Sequence, residues 1–254
     1  MLFDTIIVGP IHSRRLGRSL GVNLLHEQAK ICSFDCVYCE CGFNFQNPDS
    51  YQPSRAEVYK ALEAKLIELK ERGEGIDVIT FAGNGEPTTH REFPEIIGDT
   101  ITLRDAHFPE AKISVLSNAT MIWKPQVREA LNRVDNNILK LDSALDSTVQ
   151  AINRPTGRYS VEKVIEELAK FHGNVIIQTL FLRGEYDGKQ FDNTTEEEVS
   201  AWLDALRRIM PKEVMLYSLD RPTPAKNLTK IEYDELDRIA ARVRALGIAT
   251  QVTK

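Results

Sequence analysis

Cysteine is scarce in this chain, and the little there is lies in one place. Of 254 residues only 4 are cysteine, namely Cys32, Cys36, Cys39 and Cys41. A disulfide framework spreads its cysteines so as to close long loops, so a stapled extracellular domain is excluded. Cysteines crowded into one short segment mark a metal or redox site in a reducing compartment. Long apolar runs are missing too: nothing approaches the roughly 18–20 residues of a membrane span. The opening MLFDTIIVGP has no basic leader ahead of its short apolar stretch, which argues against a signal peptide. A cytoplasmic protein without membrane association is expected. Positive charge is not in surplus, since 32 Lys and Arg stand against 37 Asp and Glu for a net charge of −5. Overall charge therefore gives nucleic-acid binding no support, although a local basic patch is compatible with it.

What is present is the pattern of an ordinary globular chain, large enough to bury a core without staples. From residue 50 onward helix and strand signals alternate. Ser54 followed by Glu57 opens a helix to Arg72 that Gly73 stops, the spacing of a capping box. Further helices are predicted over 92–107, 124–132 with Pro125 in the first turn, 161–172, 194–210 and 233–246. Short β-rich apolar runs at 21–25, 77–81, 112–116, 137–141, 174–182, 213–217 and 248–252 read as strands. Six βα units and a terminal strand imply an α/β fold with a parallel sheet. Pattern alone leaves open whether that sheet is doubly wound or an incomplete barrel. No repeat or linker is visible, so a single domain over 1–254 is expected, with 1–20 an N-terminal extension.

Polar or glycine residues follow the strands: Gly83-Asn84-Gly85-Glu86, Ser117-Asn118, Asp142-Ser143 and Tyr217-Ser218. In parallel α/β folds such positions share the face that carries the active site, although loops are polar in any fold. Cys32-Ser-Phe-Asp-Cys36-Val-Tyr-Cys39 has the form C-x3-C-x2-C. Three thiolates at this spacing suit one compact iron–sulfur cluster and leave one iron open for chemistry. Two alternatives stand beside this reading. One is structural zinc closed by Cys41, for which ligands usually come as two separated pairs; the other is a cluster that only passes electrons, which calls for a distant fourth cysteine.

The C-x3-C-x2-C motif with aromatic Tyr38 before its third cysteine resembles the radical SAM superfamily. Gly83-Asn84-Gly85-Glu86-Pro87 is similar to that family's GGEP motif, with Asn in the second position. Leu139-Lys-Leu-Asp-Ser143 and Ile152-Asn-Arg-Pro155 resemble the corresponding stretches of the MoaA-like branch. The N-terminal run Gly9 to Gly21, with Arg221-Pro222, resembles radical SAM oxidoreductases related to the tRNA wyosine-forming enzymes. The resemblance implies an incomplete (β/α)6 TIM-type barrel of parallel strands over 21–252, with the cluster loop at its C-terminal face. It implies a [4Fe–4S] cluster on Cys32, Cys36 and Cys39, S-adenosylmethionine (SAM) as co-substrate, and reductive cleavage of SAM to a 5′-deoxyadenosyl radical. An external electron donor such as flavodoxin or ferredoxin is implied as well. The substrate is left open among an anionic small molecule, a peptide and tRNA.

Within that frame Glu86 is the candidate for the SAM ammonium, and Gly83 and Gly85 would let backbone approach the ligand. Asn84 tolerates φ > 0 should that be needed. Ser117, Asn118, Lys140 and Asp142 are candidates for ribose hydroxyls and the methionine carboxylate. Lys140 alternates with Leu139 and Leu141, so it points inward and requires an anion. Tyr38 and Tyr217 are expected to flank the adenine. Arg14, Arg15 and Arg18 form a basic loop that reads either as an anion site or as a solvated loop, and Arg154 and Arg221 could add to it. His12 and His26 read as structural or exposed residues, Cys41 as a spare thiol, a redox participant or a hydrogen donor to a radical, and Glu196 to Glu198 as first-turn acids that suit the helix dipole.

Overall fold

A computed structural model describes residues 2–13, 15–47 and 51–253. They gather into two compact units. One comprises the chain up to Cys32, Asn44–Ser117 and Lys124–Asn137; the other comprises Ser33–Phe43, Asn118–Trp123 and everything from Ile138.

In the first unit, strand β1 (Ile7–Ser13) pairs antiparallel with β2 (Gly17–Val22), with a register shift between Val8 and Ile11. Helix α1 (Arg55–Glu71) leads to β3 (Val78–Phe81), α2 (Phe93–His107) to β4 (Lys112–Ser117), and α3 (Pro125–Asn132) closes the unit. β2, β3 and β4 run parallel, with Val22 opposite Phe81 and Phe81 opposite Val115. The first parallel strand thus lies at 17–22 and not at 21–25. Leu20 and Val22 are buried at period two, and the Asn23 side chain then ends the strand by bonding both N–H and C=O of Leu25, at 3.2 and 3.1 Å. α1 forms where the capping box predicts: Glu57 accepts from the Ser54 N–H at 2.9 Å. It buries Val58, Leu62, Leu66 and Leu69, one stripe at helical spacing.

The second unit begins with β5 (Asn136–Lys140, from Ile138 onward), followed by α4 (Asp146–Ile152), α5 (Val161–Ala169), β6 (Ile176–Leu180), β7 (Leu182–Tyr186) and β8 (Lys189–Asp192). After these come α6 (Glu196–Ile209), β9 (Glu213–Tyr217), β10 (Leu228–Lys230), α7 (Tyr233–Arg244) and β11 (Ala249–Val252). β5, β6, β9 and β11 are parallel neighbours in that order. β10, β7 and β8 make a small antiparallel sheet that the sequence did not predict. The run expected as one strand over 174–182 ends at Leu180, and Leu182 starts the small sheet. α5 stops at Ala169, three residues early, because His172 and Gly173 both turn to positive φ (49° and 87°). Every residue of β6 is buried, and Trp202 of α6 packs edge-on against Phe181, with ring centroids 5.3 Å apart. Its indole N–H donates to the Leu141 carbonyl at 3.2 Å. The described chain is thus α/β: three parallel strands, β2 to β4, alternate with helices in the first unit, and four, β5, β6, β9 and β11, do so in the second. No described helix is long and apolar enough to cross a membrane.

Candidate functional site

In the first unit the ends of the parallel strands carry the Asn23 turn, the Gly83–Glu86 turn and Ser117. Both glycines meet the protein itself. A Cβ on Gly83 would lie 2.2 Å from the Asn23 Oδ1, and Gly85, at φ +146°, would place one 2.3 Å from the Ile31 carbonyl oxygen. Asn84, where the resembling motif has glycine, is fully buried and does not use positive φ. Its Oδ1 accepts the Phe3 N–H at 2.8 Å, and its Nδ2 donates to the carbonyls of Phe3 (2.8 Å) and His26 (2.7 Å). Glu86 is buried and accepts from the N–H and hydroxyl of Thr88, at 3.1 and 2.5 Å, which caps a short 3₁₀ turn over Pro87–Thr89. The neck of the cysteine loop is clamped here as well. Lys30 and Phe45 exchange backbone bonds of 3.1 and 3.0 Å, and the Asn44 amide bonds both N–H and C=O of Cys32 at 3.1 Å.

In the second unit the rest of that loop lies along the end of α4. Asp35 N–H donates to the Asn153 carbonyl and Val37 N–H to that of Ile152, each at 2.9 Å, and Thr156 N–H donates to Ser33 at 2.9 Å. The Cys39 N–H donates to the Cys36 carbonyl at 3.2 Å, so these two cysteines flank one tight turn. Cys36 is buried, whereas Cys39 and Cys41 are partly exposed. Burial pushes the Cys36 thiol up to about 11, although Lys140 opposes the shift.

Lys140, Asp142, Tyr38 and Tyr217 do come together. Lys140 Nζ donates to the Tyr217 hydroxyl at 3.0 Å, lies 3.6 Å from Asp142 Oδ1, and sits 5.2 and 5.5 Å from the ring centroids of Tyr38 and Tyr217. The inward lysine therefore has its anion, and the two rings flank an ammonium. Burial works against that charge, but Asp142 and Tyr217 outweigh it and hold the pKa above the ordinary lysine value. Asp142 is well bonded: Oδ2 accepts from the Tyr38 hydroxyl and from Asn153 Nδ2 (2.7 Å), and Oδ1 from the Leu180 N–H (2.9 Å). Burial and the Asp142 charge raise the Tyr38 phenol well above its usual range. Asn118 joins a ring of bonds, donating to the Ser33 hydroxyl at 2.9 Å and accepting from Thr120 at 2.7 Å, while the two hydroxyls stand 2.6 Å apart.

Residues 28–197 match the family described as the radical SAM superfamily, which is more than half of the chain. The chain belongs to the radical SAM superfamily. It is thus a radical SAM enzyme, and the cofactors of that family are a [4Fe–4S] cluster and SAM. It also belongs with the UPF0026 proteins: it is 30% identical over 246 residues to one from Methanocaldococcus jannaschii, covering 93% of this chain and 70% of that protein. Among solved structures, a radical SAM methyltransferase from Sphaerobacter thermophilus shares the fold with a TM-score of 0.66 at 18% identity, over 92% of this chain and 65% of that one. Archaeal TYW1 does so with a TM-score of 0.55 at 14% identity, over 90% and 72%. The chain thus spans just under two thirds of the methyltransferase.

The donor set fits the radical SAM cluster. Soft thiols are the ligands iron–sulfur sites use, and the loop that carries them is clamped at its neck and along α4. Among the described residues, no three histidine, cysteine or carboxylate side chains are drawn together as an assembled metal site would hold them. The fit therefore rests on thiol chemistry and on the fixed loop. Of the arginines that read either as an anion site or as a solvated loop, Arg18, Arg154 and Arg221 find protein partners. Arg18 bonds Asp77 through its backbone N–H (2.7 Å) and guanidinium (3.2 Å), and Arg221 bonds Glu40 at 2.6 Å. The Arg154 guanidinium lies 4.7 and 5.2 Å from the Tyr186 and Phe43 ring centroids and 3.7 Å from Asp35. Arg14 lies outside the described residues. Ser143 caps a local turn at Leu145, Ser218 donates to the Phe181 carbonyl and accepts from the Ile231 N–H, both at 2.7 Å, and Glu198 is buried, accepting from Ser143 at 2.6 Å and from Thr148. Two residues went unrecognised in the sequence, Asn44 and Asn153. Asn153 lay in the quoted Asn-Arg-Pro stretch, but a lone asparagine at a helix end carries no signature of its own.

Proposed function

We propose that Cys32, Cys36 and Cys39 hold the [4Fe–4S] cluster, with one iron left for SAM, and that the enzyme abstracts a hydrogen atom from its substrate in the cytoplasm. When bound and reduced, the cluster supplies the single electron that splits SAM into methionine and a 5′-deoxyadenosyl radical. The observation that carries the reading is the network tying the Cys36–Cys39 turn, through Tyr38 and Asn153, to the Lys140–Asp142 pair at the end of β5.

Glu86 presents a buried carboxylate to the SAM ammonium, a charge-assisted pairing. Lys140 uses one of its three hydrogens on Tyr217 and leans on Asp142, so it retains donor capacity for the methionine carboxylate. Asp142 organises the site through the bonds its oxygens accept inside the protein and stays a candidate for a ribose hydroxyl, since a carboxylate has about four acceptor sites. Asn118 and Ser117 stand at the end of β4 as donors to the ribose. Gly83 and Gly85 shape the turn that presents Glu86. An external donor of the flavodoxin or ferredoxin kind delivers the electron. The substrate is an anionic small molecule, a peptide or tRNA, and the net charge of −5 favours a compact contact over a long nucleic-acid track.

The test is anaerobic reconstitution with iron and sulfide, followed by metal analysis. A brown protein with about four irons and four sulfides on three thiolates supports the proposal. A colourless protein that holds one zinc through four thiolates including Cys41 refutes it. Measuring SAM turnover against tRNA, peptide and metabolite pools then identifies the substrate class.

A further inference from the structure

Asn153 is buried to 1% exposure at the C-cap of α4, where its N–H donates to the Val149 carbonyl at 2.8 Å. Its own carbonyl and that of Ile152 accept from Asp35 and Val37, the residues on either side of Cys36. The side-chain Nδ2 faces three acceptors: Asp142 Oδ2 at 2.7 Å, Tyr38 Oη at 2.9 Å and Cys36 Sγ at 3.5 Å. Its orientation is determined by chemistry, because a flipped amide would set Oδ1 against the Asp142 carboxylate. The Tyr38 hydroxyl gives its own hydrogen to Asp142, so its oxygen is an acceptor. One amide hydrogen therefore serves Asp142, and the other is shared between the phenol oxygen and the Cys36 sulfur.

We propose that Asn153 is a positioning residue that donates an N–H to the Cys36 sulfur and thereby raises the reduction potential of the cluster that Cys36 helps to hold. This rests on the cluster reading given above. Hydrogen bonds to ligand sulfurs set the potentials of iron–sulfur sites. A donor aimed at sulfur stabilises the extra negative charge of the reduced state more than it stabilises the oxidised state. With both groups buried, water does not substitute for a lost amide. The backbone bonds from Asp35 to the Asn153 carbonyl and from Val37 to that of Ile152 hold the loop whatever the side chain is, so a side-chain substitution acts on the contacts to sulfur, Tyr38 and Asp142 and not on that backbone anchor.

The experiment is an EPR-monitored redox titration of the anaerobically reconstituted wild-type, Asn153→Ala and Asn153→Ser proteins, with cluster content measured alongside. In the alanine variant the reduction equilibrium shifts against the reduced form by up to about tenfold, which is about 59 mV for one electron. Serine, with a shorter donor, falls between alanine and wild type. Equal midpoints at equal cluster content overturn the role of Asn153 and leave the cluster reading intact. A wild-type chain that assembles no cluster overturns both. If neither variant retains a cluster, pulsed EPR of reduced wild type labelled with 15N-asparagine decides. An asparagine amide nitrogen coupled to the cluster supports the bond, and the absence of any coupling overturns it.

Discussion

Replacing Asn84 by glycine, which would convert this turn to the motif it resembles, is expected to weaken the fold. The Asn84 amide joins three separate stretches of backbone: it accepts from and donates to Phe3, both at 2.8 Å, and donates to His26 at 2.7 Å, with a weaker contact to Glu27 at 3.3 Å. Each good bond contributes a net ~1 kcal/mol, so the three short ones give ~3 kcal/mol. The added freedom of glycine in the unfolded chain costs a further ~0.4–1 kcal/mol. A loss of about 3–4 kcal/mol corresponds to roughly 10 °C in Tm for a chain of this length. Thermal and urea unfolding of the protein without cluster measure it, and hydrogen exchange at the Phe3 amide reports the anchor itself. A Tm within ~2 °C of wild type, with the Phe3 amide still protected, would refute the staple.

Gly85→Ala is expected to destabilise by about 2–5 kcal/mol, combining strain at φ +146° with a Cβ driven against the Ile31 carbonyl; urea unfolding tests this. Asp142→Asn leaves the Lys140 ammonium without its anion and is expected to cost about 3–5 kcal/mol. Lys140→Met costs less, because Asp142 keeps Tyr38, Asn153 and the Leu180 N–H; comparable losses for the two variants would contradict this. At the start of α1, hydrogen bonds from Ser54 and Tyr51 lower the Glu57 carboxyl to about 2. The capping box is therefore fully in place above the ordinary glutamate value and is lost only as pH falls through about 2. NMR titration of the Glu57 side chain should show that low midpoint, and one near 4.5 would show the box is open in solution.

Helix periodicity and short apolar runs made most of the α/β frame readable, because a striped helix such as α1 has a period that burial enforces and a strand buried at every position, such as Val78–Phe81, stands out as a continuous apolar run. The β1–β2 hairpin was less readable, since Gly9, Pro10, Gly17 and Gly21 interrupt its alternation. The small β7–β8–β10 sheet was hidden because its strands are three to five residues long and largely polar. At the site, Lys140 could be placed from its alternation with two leucines, and its need for an anion was met two residues on by Asp142. The roles of Asn84, Asn44 and Asn153 could not be read. Their amides bond groups far away in sequence, and no local pattern encodes such partners.

Incubating the anaerobically reconstituted protein with SAM and dithionite and quantifying 5′-deoxyadenosine and methionine by mass spectrometry tests the SAM cleavage most directly. Both should form in equal amounts from the wild-type protein, slowly even without substrate, and neither from Cys36→Ala. A wild-type protein that carries a full cluster yet yields no 5′-deoxyadenosine would contradict the proposed chemistry.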